Sequence, residues 1–432
     1  MTFFTNPHRN KTSAPSPHPM WDRQAASAVV NMLGSCFDYA PTPLVSLAAT
    51  SKSCGLESVY IKDEGARLGL SSFKALGGAY ALVHLLVREA SGRLGREIAL
   101  SELPHAVSGS LALPVEGRAD KPGSADLARI AAGMTFACAT DGNHGQSVAA
   151  GARLMGARAV VFVHQRVSPQ RLESIARFGA DIQVVAGHYD DAVTESARQS
   201  AERGWTLLSD TSWPGYTKVP ALVMQGYTAV VHEIAQQVAV APTHVFLPAG
   251  VGGFAAAAAS CLHSVFATAP RVVIVEPVQA ACLLASARAG ERIRIAAGGS
   301  SIMAMLECYE PSLLAWDLLK PLANAFMTVD DADAVAAMKV LALPRADAEV
   351  VVSGESGCAG LAGLLKACAD PAVKASLGLN TRSRVLLVNS ESATDEARYA
   401  RAVGASAAAV RARVPAKRQG GLASARQQLH LF

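Results

Sequence analysis

The sequence predicts an α/β fold in which parallel sheets are covered by helices on both faces. Short apolar runs rich in β-branched residues alternate with segments of helical length, which is the pattern of strand–helix–strand units. Several runs are apolar throughout, as expected of strands that are buried on both faces. The chain has 432 residues, 50% of them hydrophobic, which is enough for two domains with large cores.

The predicted elements follow one another in strand–helix pairs. Apolar, β-branched runs predict strands at residues 59–61, 135–139, 160–163, 182–185, 244–247, 272–275 and 385–388. Helices are predicted at residues 72–87, 145–155, 169–178 and 190–203, and an alanine-rich helix is predicted after the strand at 244–247.

We predict that a small domain, residues 84–205, is inserted into a large domain made of residues 1–83 and 206–432. Within the small domain, residues 100–127 are rich in proline, glycine and serine and have no clear period, which indicates a long surface insertion. The two ends of the chain, residues 1–38 and 415–432, are expected to be mobile.

Composition narrows the possible partners. No apolar run reaches the ~18 residues of a membrane span, and the N-terminus lacks the apolar core of a secretory signal, so we expect a cytoplasmic protein without a membrane partner. The net charge is only +4, and basic residues cluster only at residues 411–418, which we interpret as a solvated tail. We therefore expect no nucleic-acid partner.

The eight cysteines lack the spacing of a zinc site. We therefore expect no metal, and single thiols fit a reducing compartment. Two interpretations stay open for Cys282 and Cys308: they form a regulatory cysteine pair, or they are ordinary buried thiols.

Lys74 is followed closely by Gly77 and Gly78 in the run SFKALGGAY. Glycines weaken a helix, so their presence indicates that a neighbour needs the space they leave. A lysine in such a place is either a reactive amine, whose pKa is tuned by its surroundings, or a helix residue beside a tight packing contact.

The run TDGNHG at residues 140–145 connects a predicted strand to a predicted helix. Free N–H groups at a helix start bind anions, and the carboxylate of a substrate is a natural guest. The candidate substrate-binding residues are therefore Thr140, Asp141, Gly142, Asn143 and His144. The alternative is a capped turn, since Asp and Asn are good helix caps; we interpret the His144 side chain as helix packing and His188 as a surface residue.

A second glycine-rich loop, PAGVGGF, follows the strand at 244–247. Its backbone amides can close on a phosphate at the start of a helix, which makes candidates of Gly250, Val251, Gly252, Gly253 and Phe254. A dinucleotide-binding loop is the alternative, but the acidic residue expected about 20 residues later would be Glu276, which lies further along the chain.

These motifs stand in the order found in fold-type II pyridoxal-phosphate (PLP) enzymes, the tryptophan synthase beta-like superfamily. From residue 39 to residue 395 the chain resembles the diaminopropionate ammonia-lyases. Four segments carry the resemblance: KDE at 62–64 with SFKALGG at 72–78; TDGNHG at 140–145; DTSWPGYTK at 210–218 with MQGY at 224–227; and SGESG at 353–357. The third is the most specific, because serine and threonine dehydratases lack it.

The resemblance implies a two-domain enzyme with the cofactor, pyridoxal 5′-phosphate, between the domains. Lys74 would hold the cofactor covalently, Asn143 would contact its phenolic oxygen, and residues 250–254 would bind its phosphate. Ser390, in the run NSESATD, would face the pyridine nitrogen; from the residues alone it is equally a hydroxyl that caps a loop. A homodimer that acts on a small amino acid is also implied.

The implied reaction is an α,β-elimination on D- or L-2,3-diaminopropionate that gives pyruvate and two ammonia molecules. Asp141 matches the base for the D-isomer, Lys74 the base for the L-isomer, and Asp210 a second aspartate that we interpret as an ammonium anchor or auxiliary acid/base. The alternatives are a serine, threonine or 3-hydroxyaspartate dehydratase of the same fold, and a non-catalytic ligand-binding module.

Three departures from the family pattern bear on the substrate. Ser392 replaces a glycine expected close to the cofactor ring. Alanines follow Phe254 where glycines are common, and the segment at 100–127 is longer than its counterpart in the family.

Overall fold

The protein is described by a computed structural model over residues 1–9, 18–104, 124–342 and 350–413. The predicted insertion at 100–127 falls mainly on residues 105–123, which lie outside these ranges. The predicted C-terminal tail, 415–432, lies outside them as well, and so does most of the basic stretch. At the insertion's end the structure differs from the prediction, since a helix already begins at Ala125.

The described residues form eleven strands in two sheets. In chain order they are β1 (Phe3–Thr5), β2 (Leu44–Ser46), β3 (Ser58–Asp63), β4 (Thr135–Ala139), β5 (Arg158–His164), β6 (Asp181–Val185), β7 (Thr206–Leu207), β8 (His244–Pro248), β9 (Arg271–Pro277), β10 (Ala325–Val329) and β11 (Arg384–Asn389).

Sixteen α-helices cover the sheets within the same ranges. They are α1 (Arg23–Cys36), α2 (Ala48–Cys54), α3 (Lys74–Leu94), α4 (Ala125–Ala132), α5 (Asn143–Met155), α6 (Pro169–Ala176), α7 (Tyr189–Arg203), α8 (Lys218–Gln237), α9 (Gly253–Val265), α10 (Cys282–Ala289), α11 (Leu313–Leu322), α12 (Asp331–Ala342), α13 (Ala359–Ala369), α14 (Pro371–Leu377), α15 (Glu396–Val403) and α16 (Ala407–Arg411). None of these described helices is long and apolar enough to cross a bilayer.

The larger sheet has the strand order β1-β10-β9-β8-β11-β3-β2, and the smaller sheet has the order β6-β5-β4-β7. Only the two edge strands of the larger sheet, β1 and β2, run antiparallel to their neighbours. All pairs in the smaller sheet are parallel. Parallel sheets are buried on both faces, and β8 accordingly has no exposed residue. The α/β class with parallel sheets between helices is confirmed.

The seven predicted strands are all present. Three strands of the larger sheet were not predicted: the edge strands β1 and β2, and the fully buried β10. The smaller sheet includes β7 at residues 206–207, just beyond the predicted boundary at residue 205. The division of the chain into two domains stays a prediction.

The described part of the N-terminal segment differs from the expectation of a mobile arm. Strand β1 pairs with β10, and the helix α1 buries Val29 and Leu33 completely. The reason is the spacing of apolar residues along α1, which presents a continuous apolar face to α8 and the core.

A buried cluster of four charged residues joins β3 to α8. The Glu233 carboxylate accepts hydrogen bonds from Lys62 Nζ at 2.5 Å and from Arg67 Nη1 at 2.7 Å, and Arg67 Nε donates to Glu64 at 2.7 Å. All four side chains are almost completely inaccessible to water. Because two cations are matched by two anions, the cluster is neutral as a whole, which is the condition for burying charge.

Glu276 ends β9 and lies completely buried beneath the start of α10. Its two carboxyl oxygens accept the N–H groups of Leu283 and Leu284 at 2.7 and 2.8 Å. Burial outweighs these hydrogen bonds and raises the pKa of the carboxyl from 4.5 to about 8.

Glu276→Gln is expected to change how stability depends on pH. Above pH 4.5 the unfolded chain releases the Glu276 proton, whereas the folded protein keeps it until the pH approaches 8, so the wild type loses stability as the pH rises through this window. Glutamine has no charge to lose, and although its single carbonyl oxygen can accept only one of the two N–H groups, that loss is the same at both ends of the pH window. The free energy of unfolding of the variant minus that of the wild type should therefore be about 1–3 kcal/mol larger at pH 8 than at pH 5.

Denaturant unfolding at both pH values measures this difference. The control is Glu291→Gln, the same change on an exposed side chain. A gain of the same size in the control, or none in Glu276→Gln, would contradict the role given to burial.

Candidate active site

A cavity lies where loops from both sheets meet at the carboxyl ends of their strands. Ligands of parallel α/β sheets bind at this edge. Its lining includes Ser72, Phe73, Lys74, Thr140, Asp141, Asn143, His144, Tyr189, Asp210, Tyr227, residues 248–255, Met305, Leu306, Cys308, Ser390 and Glu391. The predicted catalytic, cofactor-binding and substrate-binding residues therefore line a single cavity, with the exception of Gly142, which sits in the loop behind it.

Lys74 is the first residue of α3, and its amine forms an ion pair with the Asp210 carboxylate inside the cavity. Burial alone would lower the pKa of Lys74, but the neighbouring carboxylate outweighs it and the net pKa is raised. Burial would likewise raise the pKa of Asp210, and the Lys74 charge lowers it strongly instead. Each group therefore keeps the other ionised. Tyr189 completes the arrangement, since its hydroxyl donates to Asp210 at 2.8 Å.

The two glycines after Lys74 allow α3 to lie against two other helices at very short range. A Cβ on Gly77 would lie 2.7 Å from Val223 O and would also collide with the Tyr227 ring of α8. A Cβ on Gly78 would lie 2.5 Å from Ser147 Oγ of α5. The expectation that a neighbour needs the space left by these glycines is confirmed, and the result is that Lys74 is held in place from both sides.

The loop at residues 140–145 is capped by Thr140. Its Oγ1 accepts the N–H groups of Gly142 and Gly145 at 2.9 and 3.0 Å. The cap required at this turn is thus supplied without Asp141 or Asn143. Gly142 has a φ of +146°, which favours glycine and turns the chain into α5.

Asp141 and Asn143, which do not cap the turn, form hydrogen bonds with other side chains. Asp141 Oδ1 is hydrogen-bonded to His164 Nε2 at 2.8 Å. Asn143 Nδ2 donates to Glu391 Oε2 at 2.6 Å. The sequence analysis did not assign His164, Tyr189 or Glu391 to the site. His164 and Tyr189 belong to no local motif, and in the run NSESATD only Ser390 was assigned a role although Glu391 follows it directly.

The glycine loop at residues 250–253 lines the cavity and packs closely against the segment at residues 305–308. A Cβ on Gly250 would lie 3.0 Å from Cys308 Sγ and 3.2 Å from Leu306 Cα. Gly252 has a φ of +94°, and α9 begins at Gly253, so the free N–H groups of a helix start face the cavity. The dinucleotide alternative loses its support, because Glu276 is buried and already binds two backbone N–H groups.

Ser390 and Glu391 enter the cavity directly after β11. The Ser390 carbonyl accepts the N–H of Phe73 at 3.2 Å, which ties this loop to the lysine loop. Burial raises the pKa of Glu391. Gly354, in the SGESG motif, packs beneath the loop: its N–H donates to Glu391 O at 3.0 Å, and a Cβ there would lie 2.5 Å from Ser392 O.

Ser392, which replaces a family glycine, does not line the cavity. Its hydroxyl accepts a hydrogen bond from Arg411 Nη2 at 2.9 Å, and its N–H donates to Ser71 O at 2.9 Å. The substitution therefore faces the C-terminal helix α16 and leaves the lining unchanged.

The remaining predicted residues are placed as follows. His144 is buried, its ring Nε2 lies 2.8 Å from Leu208 O, and burial lowers its pKa. His188 is half-buried and contacts Arg166. Cys282 and Cys308 are both buried free thiols.

Comparison with known proteins agrees with this geometry. Residues 36–391 match the family model described as pyridoxal-phosphate dependent enzyme. The chain is 32% identical over 388 residues to diaminopropionate ammonia-lyase of Escherichia coli K12, covering 88% of this chain and 92% of that protein. It is 34% identical over 369 residues to the same enzyme of Salmonella typhimurium, covering 83% of this chain and 86% of that protein.

A solved structure is similar over nearly the whole chain. The crystal structure of the E. coli ammonia-lyase in complex with an aminoacrylate-PLP azomethine reaction intermediate matches with a TM-score of 0.79 at 31% identity. The match covers 93% of this chain and 96% of that one.

Gly77→Ala is expected to destabilise the protein by about 2 kcal/mol or more, because the added Cβ has backbone and a buried ring in its way. Gly92 offers a matched control on the same helix, since a Cβ there meets nothing within 4 Å. Gly92→Ala should be neutral or stabilise by up to about 1 kcal/mol through helix propensity. Denaturant unfolding of both variants compares them directly; similar effects would show that the crowding at Gly77 is relieved elsewhere.

Proposed function

Because this chain belongs to the pyridoxal-phosphate-dependent enzymes and, within them, to the diaminopropionate ammonia-lyases, we propose that it catalyses α,β-elimination on 2,3-diaminopropionate. The products are pyruvate and two molecules of ammonia. The observation that carries the proposal is the presence of two carboxylates, Asp141 and Asp210, in the same cavity as Lys74. A substrate with two ammonium groups suits two carboxylates, whereas a hydroxy amino acid leaves one of them without a cation.

The cavity fits pyridoxal phosphate. It contains a lysine amine at one side and, at the other, a glycine loop on a helix N-terminus that suits a phosphate. The buried Tyr227 hydroxyl lacks a hydrogen-bond partner among the described residues, as expected of a group that faces a bound molecule. We propose that the cofactor is held by Lys74, Asn143, Gly250, Val251, Gly252, Gly253, Phe254 and Ser390.

Bound pyridoxal phosphate supplies an aldehyde that reacts with amines and an electron-poor ring that stabilises negative charge at Cα. Ser390 is proposed to face the ring nitrogen. A neutral hydroxyl does not hold that nitrogen protonated, which moderates electron withdrawal and favours elimination over transamination.

The roles of the two aspartates follow from their partners. Asp210 is set against a cation, which is Lys74 in this structure, and its lowered pKa keeps it ionised. We assign to Asp210 the anchoring of the substrate β-ammonium. Asp141 is assigned the removal of the Cα proton of the D-isomer, and Lys74 that of the L-isomer. Residues 140–144 are assigned to binding the substrate.

The balance of the elimination is simple. The Cα–H and Cβ–N bonds break and a Cα–Cβ double bond forms. The proton passes to Asp141 or Lys74, and the β-nitrogen leaves as ammonia. Water then hydrolyses the released 2-aminoacrylate to pyruvate and a second ammonia.

The alternatives have weaker support. A serine, threonine or 3-hydroxyaspartate dehydratase would use the same fold, but the second carboxylate would have no partner on such a substrate. The threonine dehydratase of Haemophilus influenzae matches only 55% of this chain at 30% identity. A non-catalytic module would need neither Lys74 nor Ser390. We also propose a homodimer, which the resemblance implies. We propose a cytoplasmic location, because the eight free cysteines fit a reducing compartment.

Pyruvate release from the purified holoenzyme tests the substrate. We expect kcat/KM for D- or L-2,3-diaminopropionate to exceed that for L-serine and L-threonine by at least about 100-fold, because a buried charged anchor discriminates strongly against a substrate that lacks its partner. Turnover of the hydroxy amino acids alone would move the protein to the dehydratases. No turnover of any of the four, in a protein that binds the cofactor, would refute the proposed reaction.

Asp141→Asn tests the assignment of the bases. It should lower kcat for the D-isomer by about 100-fold or more, because asparagine cannot accept the Cα proton, while the L-isomer loses much less. Lys74→Ala serves as the comparison and should lose activity on both isomers. Equal losses on the two isomers in Asp141→Asn would contradict a stereospecific base at this position.

A further inference from the structure

Asp141 and His164 are brought together by the register of two parallel strands. Ala139 of β4 lies opposite Phe162 of β5. Asp141 and His164 each stand two residues further along, so Asp141, just beyond the end of β4, meets His164, the last residue of β5. Their hydrogen bond, Nε2 to Oδ1, measures 2.8 Å, and the two side chains are 17% and 13% exposed.

The second ring nitrogen of His164 fixes the direction of this hydrogen bond. The backbone N–H of Arg166 donates to His164 Nδ1 at 3.2 Å. A backbone N–H only donates, so Nδ1 carries no proton and the neutral ring has its proton on Nε2. His164 is therefore the donor and Asp141 Oδ1 the acceptor, and the pair needs no charge on the imidazole.

Among the described residues, this contact leaves one carboxylate oxygen of Asp141 without a hydrogen bond. Oδ1 is held by His164, and the hydrogen bonds of the described residues include none to Oδ2. The nearby cap is supplied by Thr140, so capping does not engage Asp141. Arg166, two residues after His164, is engaged with the half-buried His188 at 2.6 Å.

We infer that His164 is a positioning residue for Asp141 that selects for the D-isomer. The inference rests on the proposed function, in which Asp141 takes the Cα proton of that isomer. A base that is oriented by a third group reacts from one defined geometry. Without the imidazole, the Asp141 carboxylate can rotate about its side-chain bonds, and its free oxygen no longer points consistently at the Cα proton. Lys74 serves the other face and does not depend on His164.

The kinetic test compares three variants of the holoenzyme on both isomers. His164→Leu removes the donor and should lower kcat for the D-isomer by about 10- to 100-fold, with KM and L-isomer turnover within about threefold of the wild type. His164→Gln places an amide N–H near the position of Nε2 and should recover D-isomer turnover to within about fivefold. His188→Gln changes a neighbouring histidine that does not line the cavity and should leave both activities unchanged.

Three kinetic outcomes would overturn the inference. Equal losses on both isomers in His164→Leu would show a general structural role. Full D-isomer turnover in His164→Leu, when Asp141→Asn has lost it, would show that the base needs no positioning. If Asp141→Asn itself has no selective effect, the assignment of the base fails and the catalytic role of His164 fails with it.

A second readout does not depend on activity. In ¹⁵N-histidine NMR spectra of the protein, the His164 ring, assigned by its loss in His164→Gln, should be neutral with the proton on Nε2. Asp141→Ala removes the acceptor and should shift this tautomer equilibrium, whereas Asp141→Asn keeps a carbonyl acceptor and should preserve it. An unchanged ring in Asp141→Ala would refute the hydrogen bond, whatever the kinetics of the proposed reaction.

Discussion

The position of Lys74 depends on α3, which packs against its neighbouring helices so closely that no side chain fits at the points of contact. Gly77 and Gly78 bring α3 against α8 on one side and α5 on the other, and neither contact has space for a Cβ. The helix α8 packs with the larger sheet's helices, whereas α5 covers the smaller sheet. The lysine is therefore fixed relative to both sheets at once, and the loops of both sheets can be built around a stationary amine. Glycine at these places costs helix propensity, which the packing offsets.

The direction of the strands determines where the other loops of the cavity lie. Apart from the edge strands β1 and β2, neighbouring strands within each sheet are parallel, so their carboxyl ends lie on one edge and the loops that follow them lie on the same side. The glycine loop after β8 and the Ser390 loop after β11 reach the cavity from the larger sheet. The Asp141 loop after β4 arrives from the smaller sheet.

This geometry explains which features the sequence could predict. Interior strands such as β8 were found because continuous apolar, β-branched runs mark strands buried on both faces. The edge strands β1 and β2 have three residues each, too few for a periodic signal. The candidate residues at 140–144 and 250–254 were found because they are local motifs at strand ends. The pairing of these motifs was not found, since Glu391 of the run NSESATD is 248 residues away from Asn143 and no local pattern links the two; such pairs exist only after folding.

The two aspartates differ in what holds them, and this difference supports the division of roles. Asp210 is bound by an ammonium group and a phenol, which stabilise its ionised form and lower its pKa, so it is a poor proton acceptor and a good anchor for a cation. The described partner of Asp141 is a neutral imidazole that donates one hydrogen bond and brings no positive charge. A hydrogen bond from a third group orients a carboxylate without occupying its second oxygen, which suits the role of a base. Under the proposed function, two identical side chains in one cavity are thereby suited to different tasks, and their neighbours distinguish the base from the anchor.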